Sequence, residues 1–117
     1  MVIAIDTLRL LRKRNLPKDT VRVLWFIWES VEFGNVTIGT LNTEIASACG
    51  VTTRRVSSCL NELAEQDFIR RGHKGSGIIY ANPNHAFRGI AVDQRKAVET
   101  WSKGEALQLV PRRKRQA

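Results

Sequence analysis

A mixed α+β fold, mainly helical with one small β-hairpin, is what this chain predicts, and three observations carry the expectation. Apolar residues recur at threes and fours in three stretches: Val21, Leu24, Trp25, Trp28 and Val31; Val56, Cys59, Leu60 and Leu63; and Ala91 or Val92 with Ala97, Val98 and Trp101. That spacing lines one face of a helix. Residues 68–71 and 78–81 are short β-prone runs on either side of a glycine-rich turn, the pattern of a hairpin. With 117 residues, 43% hydrophobic and 26% charged, the chain has the balance of one folded domain with its own core.

Taken in order, MVIAI is a β-branched run suited to a short strand or extended arm, and DTLRLLRKR sets Leu8 and Leu11 among arginines as a basic helix. Pro17 breaks it. Asp19 or Thr20 can cap a second helix that runs to about Phe33, where Gly34 and Asn35 stop it. Val23, Phe26 and Ile27 widen its apolar stripe almost all the way round, so it lies centrally or another subunit covers part of it. NVTIG, residues 35–39, alternates as a small strand, and Thr40 or Asn42 caps a helix reaching about Cys49. After the hairpin, Asn82 and Pro83 make a turn, and a C-terminal helix ends at Gly104. The expected organisation is a domain over residues 1–104 and a basic, disordered tail over 105–117, since PRRKRQA offers very little that can pack.

The stretch EIASACGVTTRRVSSCL, residues 44–60, explains why one helix stops and another starts at once. Gly50 can take the left-handed conformation that ends the first helix, and the Thr52 hydroxyl can accept an orphan N–H of the second. Ala46 is small where the helices cross, and Val51 fills the angle between them. This is the layout of a helix-turn-helix. At about 100° per residue, the side opposite Val56, Leu60 and Leu63 is centred on Arg54, Ser58 and Asn61, with Arg55 and Ser57 on its flanks and Thr53 at the start. Arginine can bond guanine bidentately, asparagine adenine, and serine or threonine either. Two cations at a helix N-terminus also oppose the macrodipole, which argues for an anionic partner there.

A strand before this unit and a hairpin after it extend it to a winged helix-turn-helix with flanking N- and C-terminal helices. The wing carries Arg70, Arg71, His73 and Lys74, with Gly72, Gly75 and Gly77 permitting close approach to phosphate, and Thr40 and Thr52 add further backbone contacts. The net charge of +8 and pI near 10.3 agree with a polyanionic partner. Arg112, Arg113, Lys114 and Arg115 in the tail would add non-specific attraction. Residues 43–72, TEIASACGVTTRRVSSCLNELAEQDFIRRG, resemble the winged-helix core of many bacterial regulators. Its continuation IIYANPNHAFRG, with DTVRVLWFIWESVEFGN before the core, is similar to the RepL-type plasmid replication proteins and their short plasmid-borne relatives. The resemblance implies a DNA-binding protein of plasmid biology.

Other classes find little support. The two cysteines form no CxxC pair, which suits a reducing cytoplasm and suggests no metal site. The most apolar window, residues 21–31, falls far short of the roughly 20 residues that span a bilayer, and residues 1–15 put apolar before basic, the reverse of a secretory signal. GHKGSG joins two strands and opens no helix, so it is no phosphate loop, and His73 and His85 lack a catalytic partner. Neither enzyme activity nor a cofactor is expected. The leading expectation is a cytoplasmic repressor, nucleoid or plasmid associated, that binds double-stranded DNA as a homodimer, with Trp25, Trp28 and Trp101 in core or dimer packing. The alternative is a replication initiator that binds an origin and contacts host replication proteins. A third reading is a winged helix used as an RNA- or protein-interaction module.

Overall fold

Between Pro17 and Val31 the chain places Thr20, Val23, Leu24, Ile27, Trp28 and Val31 at threes and fours, and all six are buried. This is the axis on which the rest packs. The structure is a computed structural model, and it describes residues 1–32, 34–37, 40–73, 76–88 and 91–104, apart from the side chains of 91 and 92. In chain order the described elements are β1 (Val2–Ile3), α1 (Ile5–Lys13), α2 (Lys18–Ser30), β2 (Val36–Thr37), α3 (Asn42–Cys49), α4 (Thr53–Glu65), β3 (Ile69–Arg71), β4 (Ile79–Ala81), β5 (Ala86–Phe87) and α5 (Ala91–Lys103). The architecture is α+β and winged-helix-like, as expected.

One core unites α2, α3, α4 and one face of the wing: Val23, Leu24 and Ile27 meet Ile45, Val56, Cys59, Leu60, Leu63, Phe68, Ile69 and Ile79. Each large side chain buried there contributes roughly 1.5–3 kcal/mol. β4 is the central strand of the antiparallel order β2-β4-β3 and is buried on both faces. Ile79 and Ala81 face the main core, and the alternate residue Tyr80 joins Val36, Ile78 and Trp101 in a second cluster. Trp101 is 3% exposed, so it belongs to the core, where it seats α5 on the outer face of the sheet. Trp28 is likewise core. Trp25, 57% exposed, is not.

β1 pairs antiparallel with β5, Val2 opposite Phe87 and Ile3 opposite Ala86, which brings the N-terminal segment beside the turn after β4. That turn is built by side chains. Asn82 Oδ1 accepts from the Asn84 N–H at 2.9 Å, its carbonyl accepts from the His85 N–H at 3.1 Å, and its Nδ2 donates to the Asp67 carbonyl at 2.7 Å. Asn35, at φ 62°, donates from Nδ2 to the carbonyls of Ala81 at 3.1 Å and Ala86 at 2.5 Å and accepts the Arg88 N–H at 2.8 Å. It thereby fastens the three-stranded sheet to β5.

The helix starts depart from expectation. Neither Asp19 nor Thr20 caps α2, which begins directly after Pro17. The Asp19 carboxylate is engaged by Arg55, while Thr20 is buried and donates to Glu62 Oε1 at 2.6 Å. At α3, Leu41 holds the cap position with no side-chain bond, so Thr40 and Asn42 cap nothing. Tertiary partners outcompeted the local backbone for these polar groups.

Candidate nucleic-acid interface

The junction between α3 and α4 is built from local chemistry. Gly50 sits at φ 69°, ψ 35°, and the Ala46 carbonyl accepts from both the Gly50 N–H and the Val51 N–H. A left-handed residue here favours glycine. Val51 packs against the core, and Thr52 Oγ1 accepts from the Arg55 N–H at 3.1 Å, closing the N-terminus of α4.

With Val56, Cys59, Leu60 and Leu63 turned inward, α4 exposes Thr53, Arg54, Ser58 and Asn61. The structure thus brings these four onto one outward face. The Arg54 side chain makes no hydrogen bond or ion pair with any described residue. Arg55, one step round the helix, is half-buried and gives its Nε–H to Asp19 Oδ2 at 3.2 Å, so it ties α4 to the first turn of α2. Ser57 is half-buried beside α3, where Asn42 Nδ2 donates to its Oγ at 3.1 Å. Asn61 accepts, through Oδ1, from the Arg71 guanidinium.

The wing departs from expectation in a way that strand geometry explains. Successive side chains of β3 point to opposite faces. Arg70, opposite Tyr80 in the register, turns to α5: its guanidinium lies 3.9 Å over the Trp101 ring, donates to the Trp101 carbonyl at 2.7 Å and pairs with Asp67 at 3.6 Å. It therefore serves packing where a backbone contact was expected. Arg71 takes the other face, toward α4, and is exposed. Gly72 allows a tight wing base, since a Cβ there would lie 2.9 Å from Ile78 Cβ. His73 is exposed beyond it. Thr40 is half-buried, its N–H donating to the Gly77 carbonyl at 3.2 Å, and the Thr52 hydroxyl is occupied by its cap. Lys74 and the tail residues Arg112, Arg113, Lys114 and Arg115 lie outside the described residues.

Two residues that sequence reasoning did not assign to the site support it. Asn42, weighed only as a cap, is the Ser57 partner. Asp67, left-handed at φ 60°, accepts the Trp101 Nε1–H at 3.2 Å and pairs with Arg70, seating α5 behind the wing. A lone acid after a helix gives no such signal in sequence.

His85 belongs to the scaffold. Its ring is 4.6 Å from Phe68, and its Nδ1 hydrogen-bonds Thr7 Oγ1 at 2.8 Å. Burial pushes its pKa below 6.5, with the Asp67 charge opposing and Arg14 assisting the shift. Burial likewise raises the Cys49 thiol. Among the described residues no helix is long and apolar enough to cross a membrane.

The resulting surface combines an exposed arginine and hydroxyls in the N-terminal half of α4, where the helix dipole is positive, with an amide further along the same helix. Such a surface can hydrogen-bond base edges and attract phosphate. A family model described as Firmicute plasmid replication protein (RepL) matches residues 5–113. Searches of curated proteins and of solved structures found no match.

Proposed function

The chain belongs to the RepL family of Firmicute plasmid replication proteins, and from that premise we propose that it binds duplex DNA at a plasmid origin. In this reading α4 enters the major groove, and the β3–β4 connection lies along the adjacent backbone. The observation that carries it is Arg54: exposed, uncommitted and central to the outward face of α4. A solvated arginine needs no such surroundings, but one flanked by Thr53, Ser58 and Asn61 has the donors of a base-reading face.

Family membership favours initiation over repression and so reverses the order suggested by sequence alone. Repression stays second because the same face would serve at a promoter, and because the sequence carries no phosphate loop for nucleotide-driven steps. Initiation would then recruit host replication proteins, whereas repression needs none. Dimerisation belongs to the same proposal; of the three tryptophans expected in core or dimer packing, Trp28 and Trp101 are buried within the chain and Trp25 is exposed. Among the described residues, Trp25, Leu41 and the N-terminal Met1, Val2, Ile3, Ile5 and Leu8 are the large apolar groups exposed for it.

Footprinting on the parent plasmid at stated salt tests the reading. Protection should cover the origin, and Arg54→Ala, with its fold unchanged by circular dichroism, should need roughly thirtyfold more protein to give the same protection. Protection confined to a promoter would transfer the protein to repression. Absence of any protected duplex, with binding to RNA or protein instead, would sink the DNA reading altogether.

A further inference from the structure

Two side chains on the outer side of α4 are held by residues from neighbouring elements. Asn42 of α3 donates to Ser57 Oγ at 3.1 Å, and Arg71 of β3 donates to Asn61 Oδ1. The second contact has a consequence for recognition. A guanidinium offers donors only, so the Asn61 amide has one way to meet it, with the oxygen toward Arg71. Its NH2 group is then the free end.

An untethered asparagine presents an acceptor and a donor together, and pairs with adenine by accepting from N6 and donating to N7. With its oxygen turned to Arg71 and one of its two lone pairs engaged, Asn61 holds its NH2 outward and is no longer oriented for the bidentate adenine pair. We infer that Arg71 is a positioning residue that holds the Asn61 NH2 outward, so that Asn61 prefers guanine or thymine over adenine at the base it faces. This inference rests on the duplex-binding reading above and names the kind of site that α4 selects. Guanine offers two acceptors in the major groove, O6 and N7, and thymine offers O4, whereas adenine sets its single acceptor N7 beside an N6 amino donor that opposes an amide NH2, and cytosine offers the N4 donor alone. Each pair then contributes its keto base on the strand that Asn61 faces.

The geometry makes the assignment specific to Arg71. β3 alternation sends Arg70 to Trp101 and Arg71 to α4, and both members of the Arg71–Asn61 pair are exposed, on the side that a groove would meet.

The test is selection of bound duplexes from a randomised pool, at fixed salt, by wild type, Asn61→Ala, Arg71→Ala, Arg71→Lys and the double alanine variant, with circular dichroism as the folding control. Asn61→Ala should erase preference at one position and so identify it, and the wild-type motif should hold guanine or thymine there. Arg71→Ala should raise adenine at that same position by about tenfold, leaving other positions unchanged. Arg71→Lys, still donor-only, should keep the keto preference, and in the double variant the Arg71 change should do nothing further there. Adenine or cytosine in the wild-type motif at that position, no position sensitive to Asn61, or an Arg71→Ala variant weakened alike on every sequence each overturns the inference. The last is the mark of a plain phosphate contact. Should Arg71→Ala fail to fold, the wild-type base at the Asn61 position still decides. A wild-type motif without a keto base there defeats this inference alone; recovery of no motif and no origin footprint defeats the duplex reading as well.

Discussion

The outer face of α4 and the turn at residues 82–85 are both polar, yet they use their hydrogen-bonding groups in opposite directions. In the turn, Asn82 bonds Asp67 and Asn84 with both ends of its amide, and the neighbouring Asn35 meets Ala81, Ala86 and Arg88. On α4, Arg54 meets none of the described residues, and Ser58 and Thr53 are exposed. Polar composition alone does not mark a site; what marks it is donors and acceptors left uncommitted on a rigid element. Committed groups hold the fold, and uncommitted ones are available to a partner.

The contrast is broken most severely at its structural end. Asn35→Ala removes three hydrogen bonds at a left-handed residue and is expected to lower unfolding free energy by about 3 kcal/mol, measured by chemical denaturation. Asn35→Gly, which accepts the positive φ, should recover about 1 kcal/mol of that loss. Equal destabilisation by both would assign the whole effect to the amide.

At the functional end, Arg54→Ala should leave thermal stability unchanged and weaken binding to the specific duplex by about 2 kcal/mol, with little loss on random DNA. Competition titrations on the two duplexes check this, and equal losses would reduce Arg54 to a phosphate contact. Arg55→Ala should behave differently from its neighbour. Its ion pair with Asp19 is half-exposed, so the stability cost should be under about 1 kcal/mol, and its effect on binding should be smaller than that of Arg54→Ala. A larger binding loss at Arg55 would mean that the Asp19 pair opens on DNA.

The smallest effect is expected from His85. Its folded pKa lies below the ordinary 6.5 because the ring is buried. The unfolded chain therefore binds the proton more readily, so stability is full above about 6.5 and falls as pH drops through the window below it. Denaturation midpoints measured from pH 7.5 to 5 should decline, and His85→Gln should flatten the decline. A slope unchanged in that variant would assign the effect to other groups.

The helices, the hairpin strands and the facing of α4 could be read from the sequence, whereas β5 could not. Gly50, Val51 and Thr52 carry local signals whose meaning does not depend on the remainder of the chain: a left-handed stop, an apolar plug and a hydroxyl cap. The inward set Val56, Cys59, Leu60 and Leu63 is likewise a matter of helical period, and the opposite side follows from it. The hairpin and α5 were legible for the same reason. Which polar side chains remain free depends on packing. Asp19 and Thr20 looked like caps and became partners of Arg55 and Glu62. Arg70 and Arg71, adjacent in sequence and alike in charge, were divided by the pleat of β3 between Trp101 and Asn61. A cap or a turn depends on neighbours a few residues away, but the partner of a long charged side chain lies tens of residues off, and only packing brings the two within reach.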